Sequence, residues 1–312
     1  PMVQTSWHAG FGAYEFESAD PWRYAYAEGI DARFKGQMIL GPKIDYYGYG
    51  PTGADFNITT GACNFEVDAS NNLYLAYDRY IYSWERNKLW WLPHGTIIEN
   101  CEDAWNEQVV GGVTAGISEA WDNVAGTFSA KFVMTDADAV GVIGSEAITS
   151  TNLSQFTKIK CWVRCSVACA AGDFQLLLDD SVNCATPLET LSFSALVANT
   201  WTEQTLTLAA PGSDTAIISV GIKMAVDKGA ADFYIDHVVA IIDAGSGKVI
   251  THLKRYKTNI YAACGDSVNY WYFTSTLAFH STLTGGFAQK FEVVPSDTDF
   301  QLWKVLSTGE LK

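Results

Sequence analysis

Apolar residues in this 312-residue chain come in short runs rich in aromatic and β-branched side chains, each bounded by turn residues. Examples are Leu73-Tyr-Leu-Ala-Tyr77, Tyr80-Ile-Tyr-Ser-Trp84, Phe174-Gln-Leu-Leu-Leu178 and Ile217-Ile-Ser-Val-Gly-Ile-Lys-Met224. Side chains of this kind pack well on a pleated, half-buried surface, so the runs read as strands. One stretch is ambiguous. Residues 62–92 contain neither Gly nor Pro, and Leu73, Tyr77, Tyr80 and Trp84 also fit a helical spacing. The Asp68-Ala-Ser-Asn-Asn72 cluster and the density of Tyr decide for two hairpin strands. No other stretch supports a helix longer than about 12 residues. The expected fold class is all-β.

Composition narrows the function classes. Asp and Glu outnumber Lys and Arg 35 to 20, a formal net charge of −15. Phosphate backbones and anionic lipid surfaces require a cationic excess, so neither nucleic acid nor a polyanionic membrane surface is an expected partner. With 11 Trp, 15 Tyr and 16 Phe against only 18% charged residues, the chain is not of disordered type. No run reaches the roughly 18 apolar residues of a membrane helix. The start, Pro1-Met2-Val3-Gln4-Thr5, has no basic n-region or apolar h-region, so no signal peptide is expected. The seven cysteines include Cys161, Cys165 and Cys169. Four residues apart on a strand means about 13 Å, too far for one zinc to bridge. They share parity with Ile159, Val163 and Val167 and are expected as small core residues, their thiols kept reduced in a cytoplasm.

The chain divides in three. Residues 1–96 are aromatic and punctuated by Gly and Pro. Residues 97–243 form regular short strands, richer in Ala, Ser, Thr and Val. Residues 246–312 return to the first style, after the Gly/Ser joint Asp243-Ala-Gly-Ser-Gly-Lys248. Asn64-Phe-Glu-Val67 recurs as Lys290-Phe-Glu-Val293, and Asn72-Leu-Tyr-Leu-Ala recurs as Asn259-Ile-Tyr-Ala-Ala. The repeated unit is strand, polar turn, strand, as in a propeller blade or an antiparallel meander. The expected architecture is therefore a β-sandwich inserted into a β-propeller-like or meander domain. That outer domain is expected to be incomplete within the chain, or completed by a neighbouring subunit.

The middle block supplies a resemblance. Glu102-Asp-Ala-Trp105, Gly126-Thr-Phe-Ser-Ala-Lys131, Leu153-Ser-Gln-Phe-Thr-Lys-Ile-Lys-Cys-Trp-Val163, Asn199-Thr-Trp-Thr-Glu-Gln-Thr-Leu206 and Phe233-Tyr-Ile-Asp-His-Val238 follow one another in this order. In that order they resemble the jelly-roll β-sandwich of carbohydrate-binding modules and galactose-binding-like domains. The resemblance implies a structural Ca²⁺ between the first and last strands, with Glu102, Asp103 and Asp236 at the matching positions. Calcium takes six to eight oxygens, carboxylates among them. His237 stands where a second acid often follows that Asp. It also implies sugar binding by surface aromatics, for which Trp105 and Trp121 are the candidates. Trp162 and Trp201 match core positions.

A second resemblance rests on Gly10-Phe-Gly-Ala-Tyr14, Asp20-Pro-Trp-Arg-Tyr-Ala-Tyr26 and Leu40-Gly-Pro42. This run resembles the start of structural proteins of tailed bacteriophages. It implies a virion protein, assembled in the host cytoplasm and exposed outside the cell. Its implied partners are other virion proteins or copies of itself, with the jelly roll facing a host-surface glycan.

No catalytic residues stand out. Gly48-Tyr-Gly-Pro-Thr-Gly53 matches a dinucleotide loop by letter, but Pro51 sits inside it and a strand-like run follows. The five histidines show no metal spacing. Asp179-Asp180 and the Asp136/Asp138 pair read as turn acids. Asn57-Ile-Thr59 and Asn152-Leu-Ser154 are glycosylation sequons only in a secretory setting. The expectation is a non-enzymatic virion component using its jelly roll for adhesion or reinforcement. The alternatives are a polysaccharide depolymerase or glycosidase with an accessory carbohydrate-binding module, or a free lectin-like protein. An enzyme of that kind needs two carboxylates about 5–10 Å apart in one groove.

Overall fold

The structure is a computed structural model that describes residues 30–31, 39–40, 64–77, 79–85, 90–109, 112–136, 140–241, 249–263, 270–273, 277–280, 290–295 and 300–305. Most of the virion-like run 10–42, the Gly48–Gly53 loop and the 243–248 joint lie outside these residues. Among the described residues there is no α-helix, and every strand pairing is antiparallel.

The first region holds β1 (Ile30–Asp31) paired with β2 (Ile39–Leu40), then β3 (Asn64–Val67), β4 (Leu73–Tyr77), β5 (Tyr80–Glu85) and β6 (Trp90–Pro93). β3 to β6 form a four-stranded meander in chain order. The ambiguous stretch is thus a hairpin. Its polar cluster makes a side-chain-capped turn. Asp68 Oδ1 accepts from the N–H groups of Ser70 (2.8 Å) and Asn72 (2.9 Å), and Asn71 adopts φ 64°. A local carboxylate that satisfies the turn's own amides favours this reversal over a continued helix.

The middle region holds β7 (Thr96–Glu99), β8 (Asn106–Glu107), β9 (Val113–Ile117), β10 (Ala130–Met134), β11 (Gly141–Thr151), β12 (Lys158–Cys165), β13 (Phe174–Asp179), β14 (Glu189–Ser192), β15 (Thr202–Thr207), β16 (Ile217–Met224) and β17 (Ala231–Ile241). Sheet A runs β15-β12-β17-β10-β9, with β7 also paired to β17. Sheet B runs β14-β13-β16-β11-β8. The chain passes back and forth between the sheets, giving a jelly-roll β-sandwich.

Period-two alternation decides which side chains meet inside. On β12, Ile159, Cys161, Val163 and Cys165 enter the core shared by both sheets. Lys158, Lys160, Trp162 and Arg164 take the outer face. Phe233 of β17 stacks on Phe174 of β13 with centroids 4.4 Å apart, and Phe193 packs 5.9 Å away. Gly144 of β11 is required by close approach, since a Cβ there would lie 2.1 Å from the Phe132 ring. A bulge at His237 (φ 51°) shifts the register of β17, so that Asp236 faces out while Ile235 and Val238 both face in. Cys101, Cys161, Cys165, Cys169 and Cys184 are buried free thiols.

The last region holds β18 (His252–Tyr256), β19 (Asn259–Ala263), β20 (Tyr270–Phe273) and β21 (Leu277–His280), a second four-stranded meander, then the hairpin β22 (Lys290–Pro295) and β23 (Phe300–Val305). The sequence echoes fall on equivalent strands. β4 and β19 are each second in a meander. β3 and β22, which carry Phe-Glu-Val, each pair antiparallel with the strand that follows. The topology is that of two four-stranded antiparallel meanders, the unit that both sequence-derived alternatives share.

The two outer regions touch. The Arg255 N–H donates to Glu66 Oε2 at 3.0 Å, a contact between residues 189 apart in sequence. Arg255 Nη1 also donates to the Asp68 carbonyl at 3.2 Å. The first meander also docks on sheet A. Lys160, 3% exposed, donates to Tyr82 Oη (3.1 Å) and Glu203 Oε2 (2.8 Å), with its ammonium 4.5 Å from the Tyr80 ring centre. Burial pushes the Tyr82 hydroxyl up to about 12.

Candidate functional site

The loop 118–129 joins β9 to β10 and folds back over the outer face of sheet A. Its base is closed by Ser118 and Ser129. The Ser118 N–H donates to the Ser129 carbonyl, and the Ser129 N–H donates to Ser118 Oγ, both at 2.9 Å. At its tip the Asp122 N–H donates to the Glu119 carbonyl at 2.9 Å, closing a four-residue turn. Trp121 is the third residue of that turn and is 79% exposed.

Three acids fix this loop, Asp236 and Glu102 from outside it and Asp122 from within it. Asp236 Oδ2 accepts from the N–H groups of Val124 (2.6 Å) and Ala125 (2.9 Å). Glu102 Oε1 accepts from Thr127 N–H at 2.8 Å and Phe128 N–H at 3.4 Å. Gly126 sits at φ +56°, which favours glycine, and a Cβ there would also displace the Glu102 carboxylate, 1.8 Å away. Asp122 pairs with the Arg164 guanidinium and accepts from Trp201 Nε1 at 3.3 Å. That guanidinium lies 4.1 Å from the Tyr234 ring centre and 5.7 Å from that of Trp201. Val124 and Ala125 then pack on Trp162, Trp201 and Tyr234 with Leu92 of β6. The turn bearing Trp121 is therefore held by charge-assisted bonds on one side and by an aromatic cluster below.

The sequence-derived residues separate on this geometry. Trp105 is 2% exposed and meets Phe132 edge to face at 5.7 Å. Its ring has no free face for a sugar, which removes it from the carbohydrate pair. The exposed-looking Glu102-Asp103-Ala104 context misled, because the chain turns inward at 105 to plug the sandwich end. Trp121 stands free in solvent. Trp162 and Trp201 are packing residues.

Of the three metal candidates, the fold brings Glu102 and Asp236 to one loop and leaves Asp103 exposed. Among the described residues no group of three His, Cys, Asp or Glu side chains is placed to hold a metal ion. Burial pushes the Asp236 carboxyl up to about 8, against the lowering effect of the Ala125 and Val124 amides and with a further rise from the Glu102 charge. Asp236 Oδ1 is buried without a hydrogen-bond partner. A hard, all-oxygen set of two carboxylates fits Ca²⁺ in kind. The remaining oxygens of its shell would have to come from the backbone or water.

The Asp122–Arg164 clamp went unread in the sequence. Its signal was present in the period-two row Lys158, Lys160, Trp162, Arg164. Three cations on one strand face ordinarily read as a solvated surface, and only Trp162 in that row hinted at a cover.

No family model matches the chain, and no curated protein matches it. Solved structures similar to it cover about half its length. The family 11 carbohydrate-binding module of Clostridium thermocellum, solved with a β-1,3-1,4-mixed-linked tetrasaccharide, is 14% identical over 48% of this chain and 97% of its own, at a TM-score of 0.36. A family 29 carbohydrate-binding module variant is 11% identical over 48% of this chain and 86% of its own, at 0.31. The CBM22–GH10 modules of C. thermocellum xylanase 10B are 19% identical over 47% of this chain and 28% of their own, at 0.30.

Proposed function

We propose that the sandwich is a non-enzymatic carbohydrate-binding module whose contact platform is Trp121 on the loop 118–129. The observation that carries this reading is the contrast within one turn. Trp121 is 79% exposed while its neighbour Asp122 is 7% exposed and locked by Arg164 and Trp201. A ring carried on a fixed backbone turn adds little backbone ordering cost on binding, and an indole face suits the C–H face of a pyranose. Glu102 and Asp236 serve the loop as structural acids. In the same reading they would hold a structural Ca²⁺, whose charge would compensate the buried Asp236 oxygen. The setting we propose, from the resemblance of residues 10–42, is a phage-like virion component that presents this module to a host-surface glycan.

The test is affinity electrophoresis of the full chain through gels containing neutral and acidic soluble polysaccharides. Retardation by at least one glycan, lost in Trp121→Ala, is the expected result. Equal mobility of both proteins in every gel would overturn the platform. Release of reducing ends from any of these polysaccharides would overturn the non-enzymatic reading.

A further inference from the structure

The loop 118–129 covers only part of the outer face of sheet A. Val124 and Ala125 lie over Asp236 and Trp162. Two residues back along β17, the register sets Gly116, Lys131, Tyr234 and Arg164 side by side across β9, β10, β17 and β12. The loop bounds this row at both ends. It leaves β9 just after Gly116, rejoins β10 just before Lys131, and ties Asp122 to Arg164 at the far end. Four neighbouring strands make the row about 14 Å long. Trp121, next to Asp122, thus stands at the rim of a ledge, at its Arg164 end.

Gly116 keeps the other end of the ledge low. A Cβ there would meet nothing within 4 Å, so packing does not account for the missing side chain. Tyr234, 7% exposed, is flanked by two cations, the Arg164 guanidinium 4.1 Å and the Lys131 ammonium 5.3 Å from its ring centre. Each cation has its own acid. Arg164 pairs with Asp122, and Lys131 pairs with Asp232 Oδ2 at 3.0 Å. The Tyr234 hydroxyl donates to the same Asp232 oxygen at 3.3 Å. The Lys131 and Asp232 side chains stay 27% and 32% exposed, open to a ligand lying along the row.

We propose, on the footing that Trp121 is the platform, that Lys131 and Asp232 are the specificity-determining pair of the glycan site and select neutral pyranosides with neighbouring hydroxyl groups. An ammonium carries three N–H donors, and an ionised carboxylate only accepts. The Asp232 pairing uses one of the Lys131 donors, and Lys131 and Tyr234 both bond Oδ2, which leaves Oδ1 to accept. Lys131 donates to one sugar hydroxyl while Asp232 accepts from the next, so a vicinal pair satisfies both partners without breaking their ion pair. An acidic sugar meets cations that are already neutralised, on a chain of net charge −15 that repels it.

The experiment is affinity electrophoresis of the full chain in gels containing hydroxyethyl cellulose, galactomannan or polygalacturonate, each read against a gel without polysaccharide. The wild type is expected to be retarded by at least one neutral polymer and not by polygalacturonate, a result that needs no variant. In Asp232→Asn the amide oxygen can still accept from Lys131 and Tyr234, but the ammonium loses its counter-charge. That variant should lose most of the neutral retardation and gain retardation by polygalacturonate that high salt abolishes. Lys131→Met should lose the first without gaining the second. A merely structural pair would not turn the preference toward an acid. Wild-type retardation by polygalacturonate as strong as by the neutral polymers, or an Asp232→Asn that binds as the wild type does, would overturn the role of the pair. Loss of binding in Trp121→Ala would then leave the platform standing. A wild type retarded in no gel would overturn the platform and the pair together.

Discussion

The two outer faces of the sandwich are covered in opposite ways. On sheet A, cations do the docking, Lys160 buried and Arg164 partly exposed. Lys160 receives the first meander, and Arg164 receives the Trp121 loop. On sheet B, the cover is the 181–186 segment, held by an acid and by hydroxyls: Asp179 Oδ2 accepts from Ser181 Oγ (2.5 Å) and from the Thr186 N–H (2.9 Å). Cys184 N–H donates to Ser219 Oγ at 3.2 Å, and Ser219 Oγ donates to the Ser181 carbonyl at 2.6 Å. That segment fits closely, since a Cβ at Gly221 would lie 2.8 Å from Cys184 Sγ. A cover hydrogen-bonded to a neighbouring carboxylate and hydroxyl seals a face. A covered cation also fixes where the covering segment must sit, because a misplaced partner leaves a buried charge unpaired. The face that has to present a side chain in one position is the face whose covers dock on cations.

This contrast breaks most sharply at Arg164. Arg164→Ala leaves the Asp122 carboxylate, 7% exposed, without its cation. The expected loss is about 3–5 kcal/mol in chemical denaturation. Ser219→Ala, the matching change on sheet B, strands one amide and one carbonyl and costs about 1–2 kcal/mol. Equal losses would dissolve the distinction between the faces. Asp236→Ala comes next. It strands the Val124 and Ala125 amides and is expected to cost about 2–3 kcal/mol. If Glu102 and Asp236 hold Ca²⁺, a chelator lowers the wild-type melting temperature and leaves that of Asp236→Ala unmoved. An unmoved wild type would remove the calcium.

The sheet A face was only half legible in the sequence. Strand runs, turn clusters and parity identified the sandwich strands and the inward set on β12, because period-two burial is a local property. Trp105 and Trp121 could not be told apart that way. Both sit in polar, loop-like sequence, and which one turns inward depends on the sandwich end closing over residue 105, a long-range event. Cys161, Cys165 and Cys169 are buried free thiols in the core as expected, although strand parity accounts only for the first two. The 13 Å expectation held only while β12 continued, and the strand stops at Cys165. The acids at 102 and 236 were read as a possible cluster from a resemblance, whereas their amide partners at 124–128 could be seen only once the loop was folded over the sheet.

Not every buried acid is partnered, and Asp214 is the counterexample to sharpen. It lies 1% exposed beside Glu189, which is also 1% exposed. Glu189 accepts from the Ala209 (3.0 Å) and Ala210 (2.8 Å) amides, while neither Asp214 carboxyl oxygen has a hydrogen-bond donor. Burial, then the Glu189 charge, pushes the Asp214 carboxyl up to about 6 from 3.8. Between those values the folded chain holds a proton that the unfolded chain has released. Stability from this group is therefore highest at the acid end and falls as pH rises through the window. Above it, Asp214 costs about 1–2 kcal/mol, less than the full shift implies because water and relaxation screen it. Asp214→Asn should raise the melting temperature at pH 8 and change it little at pH 4. A variant destabilised equally at both would show that Asp214 is paired after all.

The smallest expected effect on stability is the most informative about function. Trp121 buries almost nothing, so Trp121→Ala should change folding stability by no more than about 0.5 kcal/mol. If the clamp exists to present that ring, the same variant should weaken glycan binding at least about tenfold, or about 1.4 kcal/mol. Arg164→Ala should weaken binding too, but through loss of loop order, so its defect should shrink when the protein is stabilised by cosolvent while that of Trp121→Ala persists. A ring needed directly and a clamp needed indirectly predict this split. If Trp121→Ala instead destabilised the fold as Arg164→Ala does, the exposed indole would be a packing residue for a covering partner, and the charged face would be an assembly surface rather than a sugar platform.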